Sequence, residues 1–276
     1  MQQNQPIPKL AVSGVFYARQ VWIYNLAILV KEKPQTVDNT WLYTWLETEA
    51  QRGANEVASA LFHFMKALDS RMKSENKRNL TLRLFSDSCS SQNKNFVMVC
   101  TTRAFLSKSL SFDKIIHYFP IRGHSYMPPD RVFGRIEKVF RKKEKIVSPS
   151  EYHDLLKEHG TVKVLNRDWK IYDFKTLTKK ILKTKLGAKM QEQKVFSYVR
   201  DKNEIGFQSA YSASPLFRPV LRNKAKFETV LQADEVAKKL CQSRKNERCQ
   251  ETSHFLRNAW WRQGVLCRCA CSNKQK

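Results

Sequence analysis

Apolar positions along this chain switch between two periods, and the switches mark its elements. Val21 to Val30, VWIYNLAILV, is a nearly unbroken run of aromatic and β-branched residues, the pattern of a buried strand. Lys31 to Asn39 interrupts it with Pro and Asp-Asn, which break regular structure. Thr40 to Ala50 is again strand-like and predicts a hairpin with the first run. From Arg52 to Met72 the period lengthens: Val57, Leu61, Phe64, Met65 and Leu68 share one helical face. Asn79 to Asp87, NLTLRLFSD, predicts a strand, Lys94 to Leu110 a buried helix, and Lys114 to Ile121 another strand. Pro128 to Lys145 opens with Pro, Pro and Asp and sets Val132, Phe133, Ile136, Val139 and Phe140 at helical spacing.

The predicted order is strand, strand, helix, strand, helix, strand, helix. It implies an α/β sheet with an antiparallel N-terminal part. One more strand in front, at or before Met1, would give the order of a ribonuclease-H-like fold. The second half is less regular. Ser148 to Gly160 predicts a capped short helix, Arg167 to Met190 mixes aromatics with Lys, and Lys194 to Tyr211 predicts a hairpin. Ser214 to Lys226 is basic and broken by Pro. Three segments are therefore expected: an α/β domain over 1–145, a basic α+β extension over 146–226, and a basic Cys-containing tail over 227–276 with no regular fold.

Charge then narrows the partner. Lys and Arg number 50 against 25 Asp and Glu, a net +25. The first 140 residues hold 19 basic and 11 acidic residues, so the excess lies mostly beyond them. Such an imbalance favours a polyanion, with nucleic acid, and DNA in particular, as the expected partner. The start, MQQNQPIPKL, has no apolar secretory core. Val21 to Val30 is too short to span a bilayer. A soluble nuclear or cytoplasmic protein is expected. RKKEK and KKILKTK are basic enough for nuclear import, though solvated helix faces explain them equally well. Seven Cys, an odd number, argues against a disulfide framework. Cys241, Cys249, His254, Cys267, Cys269 and Cys271 lack the C-x-x-C spacing of structural zinc sites, so zinc is not expected.

The candidate chemistry lies in carboxylates. Asp87 ends a strand expected to be central and parallel, where sites form in open α/β sheets. It could equally form a turn or cap before the following polar run. Glu137 sits beside the apolar Ile136, where a carboxylate is solvated, paired or a ligand. Asp130 is placed to cap its helix, and lies seven residues before Glu137, roughly 10 Å along a helix. His124 is a candidate for a metal site, a phosphate contact or a loop donor. Glu56 opens the first helix, where an exposed Glu is favoured. Metal-dependent phosphodiester chemistry needs two to four hard oxygen ligands around Mg²⁺ or Mn²⁺. A ribonuclease-H-like layout draws them from the first strand, the end of the fourth strand and a late helix, with a Glu on the first helix in some members. Asp87, Glu137 and Glu56 fall on the last three of these elements.

LFSDSCSSQNKN, GHSYMPPDRVFGRIEK, FYARQVWIYNLAI and RGANEVAS together resemble the family called domain of unknown function 7869, an uncharacterised animal group that looks transposase-derived and ribonuclease-H-like. The likeness covers roughly Met1 to Lys145 and weakens through IYDFK to SPLFRPV. It implies Asp87 as a core acid, Glu137 as the late-helix acid, and Gln92, Asn93, Asn95, His124 and Asp130 on the same active face. Lys94, Arg122, Arg131 and Arg135 are candidate phosphate contacts. The family pattern carries an Asp just ahead of the segment matching MQQNQPIPKL, where this chain has Met1. A complete metal set is therefore not expected. The expected function is nucleic-acid binding with a degenerate nuclease or transposase site. An active metal-dependent nuclease and a non-catalytic protein-interaction module are the alternatives.

Overall fold

The computed structural model describes residues 2–10, 20–31, 36–121, 127–183 and 189–222. These all belong to one unit, Met1–Ala237. Strands β1 (Gln2–Ile7), β2 (Val21–Leu29) and β3 (Thr40–Leu46) lead into helix α1 (Ala54–Ser74). Then come β4 (Leu80–Phe85), α2 (Phe96–Lys108), β5 (Phe112–Tyr118), α3 (Pro128–Lys142) and α4 (Pro149–Lys157). The remainder is β6 (Thr161–Val164), α5 (Phe174–Ile181) and three strands, β7 (Val195–Val199), β8 (Glu204–Gln208) and β9 (Leu216–Pro219).

The result is a mixed α/β fold with two sheets flanked by helices. The first sheet has the order β1-β2-β3-β6, antiparallel except for the parallel β3–β6 pair. The second has the order β4-β5-β7-β8-β9, with only β4–β5 parallel. Residues 146–222 thus contribute strands to both sheets. Two expectations change. The strand sought at or before Met1 lies at Gln2–Ile7, hidden because its residues are mostly polar. And β4 is parallel to its neighbour but is an edge strand, not a central one.

Burial explains the patterns. On β2, Ile23 and Ala27 face one side while Leu26 faces the other, and all three are buried. A strand covered on both faces has to read as a continuous apolar run. One core joins Tyr43 and Trp45 of β3 to Met65 of α1, Leu106 of α2, Phe174 of α5, and Ile115 and Phe196 of the second sheet. A second core packs Ile23 and Leu42 against Val132 and Ile136 of α3 and Tyr152 and Leu156 of α4. The first sheet is therefore sandwiched. On the second sheet the residues of β4 alternate, and Thr81, Arg83 and Phe85, with Lys114 of β5, are exposed on its outer face.

Helix ends follow local chemistry. Ser148 caps α4, its Oγ accepting from the Glu151 N–H at 3.2 Å. Past the end of α1, Asn76 takes φ 54°, a left-handed conformation that Asn tolerates better than most residues. No described helix is long and apolar enough to cross a membrane.

Two glycines test this packing in opposite senses. A Cβ at Gly160 would stand 2.7 Å from the Thr40 carbonyl oxygen, whereas one at Gly134 on α3 meets nothing within 4 Å. Gly160→Ala should destabilise the fold by about 1–3 kcal/mol through overpacking. Gly134→Ala should stabilise it by about 0.5–1 kcal/mol through helix propensity. Urea midpoints of the two variants against wild type check both signs.

Candidate functional site: the loop after β4

The backbone leaves β4 through Ser86, whose N–H still bonds the Tyr118 carbonyl at 3.2 Å. Asp87 follows, half-buried. Its Oδ1 accepts from the Cys89 N–H at 3.1 Å and from Asn93 Nδ2 at 2.6 Å. The first bond is an Asx turn. Oδ2 takes no hydrogen bond among the described residues. Asp87 thus shapes the loop with one oxygen and leaves the other without a protein donor.

The QNKN residues lock that loop. The Cys89 carbonyl receives N–H bonds from Gln92, Asn93 and Lys94 at 3.3, 2.8 and 3.0 Å. Asn95 is the N-cap of α2: its Oδ1 accepts from the Met98 N–H at 2.9 Å and its Nδ2 donates to the Ser90 carbonyl at 3.0 Å. Gln92 and Asn93 are buried. Lys94, expected as a phosphate contact, is 3% exposed and turned inward. Its Nζ donates to the Gln191 carbonyl at 2.8 Å and lies 5.2 Å from the Phe119 ring centroid. A buried ammonium needs such donors and π faces, and a phosphate cannot reach it there.

Beneath the loop lies His117 of β5, which the sequence reading did not single out. It is fully buried, its Nε2 2.7 Å from Ser86 Oγ and its ring 4.2 Å from that of Phe119. Its Nδ1 has no hydrogen-bond partner among the described residues. Burial, and secondarily the Lys94 charge, push its pKa down to about 3, so it is neutral at physiological pH. Ser88 Oγ donates to the Pro120 carbonyl at 3.1 Å, tying this loop to the one after β5.

The other carboxylates are engaged elsewhere. Glu137 is paired: Oε2 accepts from Gln5 Nε2 at 2.5 Å, and Oε1 from Arg141 Nε at 2.9 Å. Asp87 and Glu137 share no hydrogen-bond partner. Asp130 closes the start of α3, its Oδ2 accepting from the Met127 N–H at 2.7 Å, while its buried Oδ1 has no partner. Glu56 is not the exposed residue that its position suggested but is 7% exposed. It folds back over the helix start, so that a Cβ at Gly53 would lie 3.0 Å from its Oε2. Arg131 and Arg135 are exposed on α3. Arg122, His124, and Cys241, Cys249, His254, Cys267, Cys269 and Cys271 lie outside the described residues. Among the described residues, no three His, Cys, Asp or Glu side chains converge as a metal-binding group.

Sequence reasoning missed Ser86, His117, Gln191 and Gln5. Only His117 carried a signal, as a lone His inside an apolar strand. Its neighbours come from the β4–β5 register, which pairs Leu84 with His117.

The model of the family described as Domain of unknown function (DUF7869) matches residues 28–214. That is more than half of the chain, which belongs to this family. No curated protein and no solved structure matches the chain significantly.

The neutral His117 has a pH consequence. Unfolded, its imidazole titrates near its ordinary 6.5; folded, near 3. Below about pH 6.5 the unfolded state takes up a proton that the folded state refuses, so stability rises with pH across the window from about 3 to 6.5. Above that window His117 contributes no slope. His117→Gln should flatten the fall in urea midpoint between about pH 6.5 and pH 4. A slope equal to wild type would show that His117 is already charged in the folded protein.

Proposed function

We propose that this chain is a transposon-derived, ribonuclease-H-like protein that binds nucleic acid, and that its ancestral metal-dependent phosphodiester site persists only in part around Asp87. The carrying observation is Asp87 itself. It stands just past the C-terminal end of β4, one oxygen pinned by Asn93 and Cys89 and the other free of donors among the described residues. Strand ends of parallel pairs in α/β sheets are where ligands meet the fold. Three supports accompany it. The order of three strands, then helix, strand, helix, strand, helix is the one this fold class uses. Glu137 of the late helix touches β1 through Gln5, so late helix and first strand meet as that layout requires. The net charge of +25 suits a polyanion.

Two-metal phosphodiester chemistry needs several converging hard oxygen ligands. Of the two proposed metal ligands, Asp87 keeps one oxygen without a donor among the described residues, while Glu137 is held by Gln5 and Arg141. This donor set falls short of Mg²⁺ or Mn²⁺ catalysis, and no catalytic step is assigned to it.

The reading is tested with purified full chain and labelled DNA. Affinity should fall at least roughly tenfold between about 50 and 200 mM salt, as phosphate contacts require, and should survive chelation of divalent ions. Supercoiled plasmid with Mn²⁺ should remain uncut. Mn²⁺-dependent nicking that Asp87→Asn abolishes would make the chain a working nuclease. Absence of any salt-sensitive binding would instead favour a protein-interaction module.

A further inference from the structure

The outer face of the second sheet carries an aromatic stack that the fold does not cover. Phe85, the last residue of β4, is 62% exposed. Its ring stacks on that of Tyr118 with centroids 4.8 Å apart and planes 12° from parallel. The two residues are register partners on neighbouring strands, so their rings stand side by side at the strand spacing. Leu80, Leu82 and Leu84 of β4 point to the opposite face, into the core shared with α1, α2 and α5. Because β4 is an edge strand, no further strand among the described residues lies on the far side of the Phe85 ring. One π face of the stack is left without a neighbouring strand.

The surroundings are cationic. Arg83 lies two residues before Phe85 and so on the same face, and Lys114 of β5 shares that face; both are exposed. Neither has an acidic partner among the described residues. Isolated exposed apolar side chains are ordinary on protein surfaces. An exposed stack on an edge strand, flanked by unpaired cations and two residues before Asp87, is a more specific arrangement.

We propose that the Phe85–Tyr118 stack is a shelf for single-stranded nucleic acid: an unpaired base extends the stack on the open face of Phe85, and Arg83 and Lys114 take the adjoining phosphates. The inference rests on the nucleic-acid-binding reading above and adds the form of the ligand. A base inside a duplex already has both π faces covered by its neighbours. An unpaired base can offer one to an aromatic side chain, and every base has such a face. The shelf therefore selects strandedness rather than sequence.

The test compares a fluorescent oligothymidylate with a duplex of equal length, at fixed salt, for the full chain and for Phe85→Ala and Phe85→Trp. The exposed position of Phe85 makes both variants compatible with folding, and thermal melts matching wild type confirm it. Phe85→Ala should weaken single-strand binding by roughly fivefold or more, the loss expected for one stacked base, and leave duplex binding within about twofold. Phe85→Trp should restore single-strand affinity, and its fluorescence should be quenched by the oligonucleotide. Wild type that binds both ligands, with Phe85→Ala weakening neither or weakening both equally, overturns the shelf and leaves the nucleic-acid reading standing. Wild type that binds neither ligand overturns both. Failure of Phe85→Trp to recover what Phe85→Ala loses would overturn stacking.

Discussion

A single apolar core holds together two sheets that share no hydrogen-bonded strand pair. β1 and β4 are both edge strands, so no backbone ladder joins the sheets. What joins them is the packing of α1, α2 and α5 beneath both. Aromatic contacts carry much of that packing. Trp169 meets Tyr43 and Trp45 edge-on at 5.5 and 5.7 Å, and Phe196 meets Phe119 and Phe207 at 4.9 and 5.2 Å. Edge-to-face pairs of this kind are worth about 0.5–1.5 kcal/mol each beyond area burial. The position of the Asp87 loop depends on this core. His117, which supports the loop, packs against Phe119, and Phe119 packs against Phe196.

Buried polar side chains adjoin both candidate carboxylates. Beneath Asp87 lie Asn93, Lys94 and His117. On the other face of the first sheet, Asn25 Nδ2 donates to Tyr152 Oη at 3.1 Å, while Asn25 Oδ1 and its register partner Thr44 Oγ1 lack partners. Burial raises the Tyr152 phenol well above its ordinary pKa, and the Glu137 charge adds to the rise. Unpaired buried polar atoms cost stability, and in native folds they cluster where something other than packing is being arranged. Among the described residues such atoms lie beneath Asp87, at His117, and near Glu137, at Asn25 and Thr44, and others lie at Thr102, His159 and Tyr198. The sequence had proposed those two acids on other grounds.

Periodicity made the apolar elements legible and little else. β2, α1, α2 and α3 were readable because each buries a continuous or helically spaced apolar set. QQNQPI gave no such signal, since β1 is stabilised by its backbone ladder to β2 and by Gln5 on Glu137, a contact across 132 residues. The short β6, TVKV, was missed for want of length, and β9, LFRP, was obscured by Pro219 and the flanking Pro215. At the loop, the types Asp and Asn announced a polar turn, but not which oxygen would be pinned. Lys94 read as a surface cation because its partner, the Gln191 carbonyl, is 97 positions away. Residue type proposes a site, and only long-range register shows whether its members meet.

The same limits bear on how such a chain could discriminate among polyanions. Counterion release grows with the number of cations brought to phosphates and is indifferent to base pairing. Exposed Arg135 and Lys138 on α3, like the basic excess beyond residue 140, would therefore attract single strands and duplexes alike. Discrimination would have to come from a group that reads base faces, the role proposed for the exposed ring of Phe85. Asp87 constrains the geometry further. A carboxylate two residues beyond the shelf repels phosphate unless a cation stands between them. A backbone crossing the shelf is accordingly drawn to the Arg83 and Lys114 side and kept off the strand end. Where a complete metal set would reverse that repulsion, Asp87 alone would leave it in force, and the proposed shelf would hold a strand beside the carboxylate rather than on it.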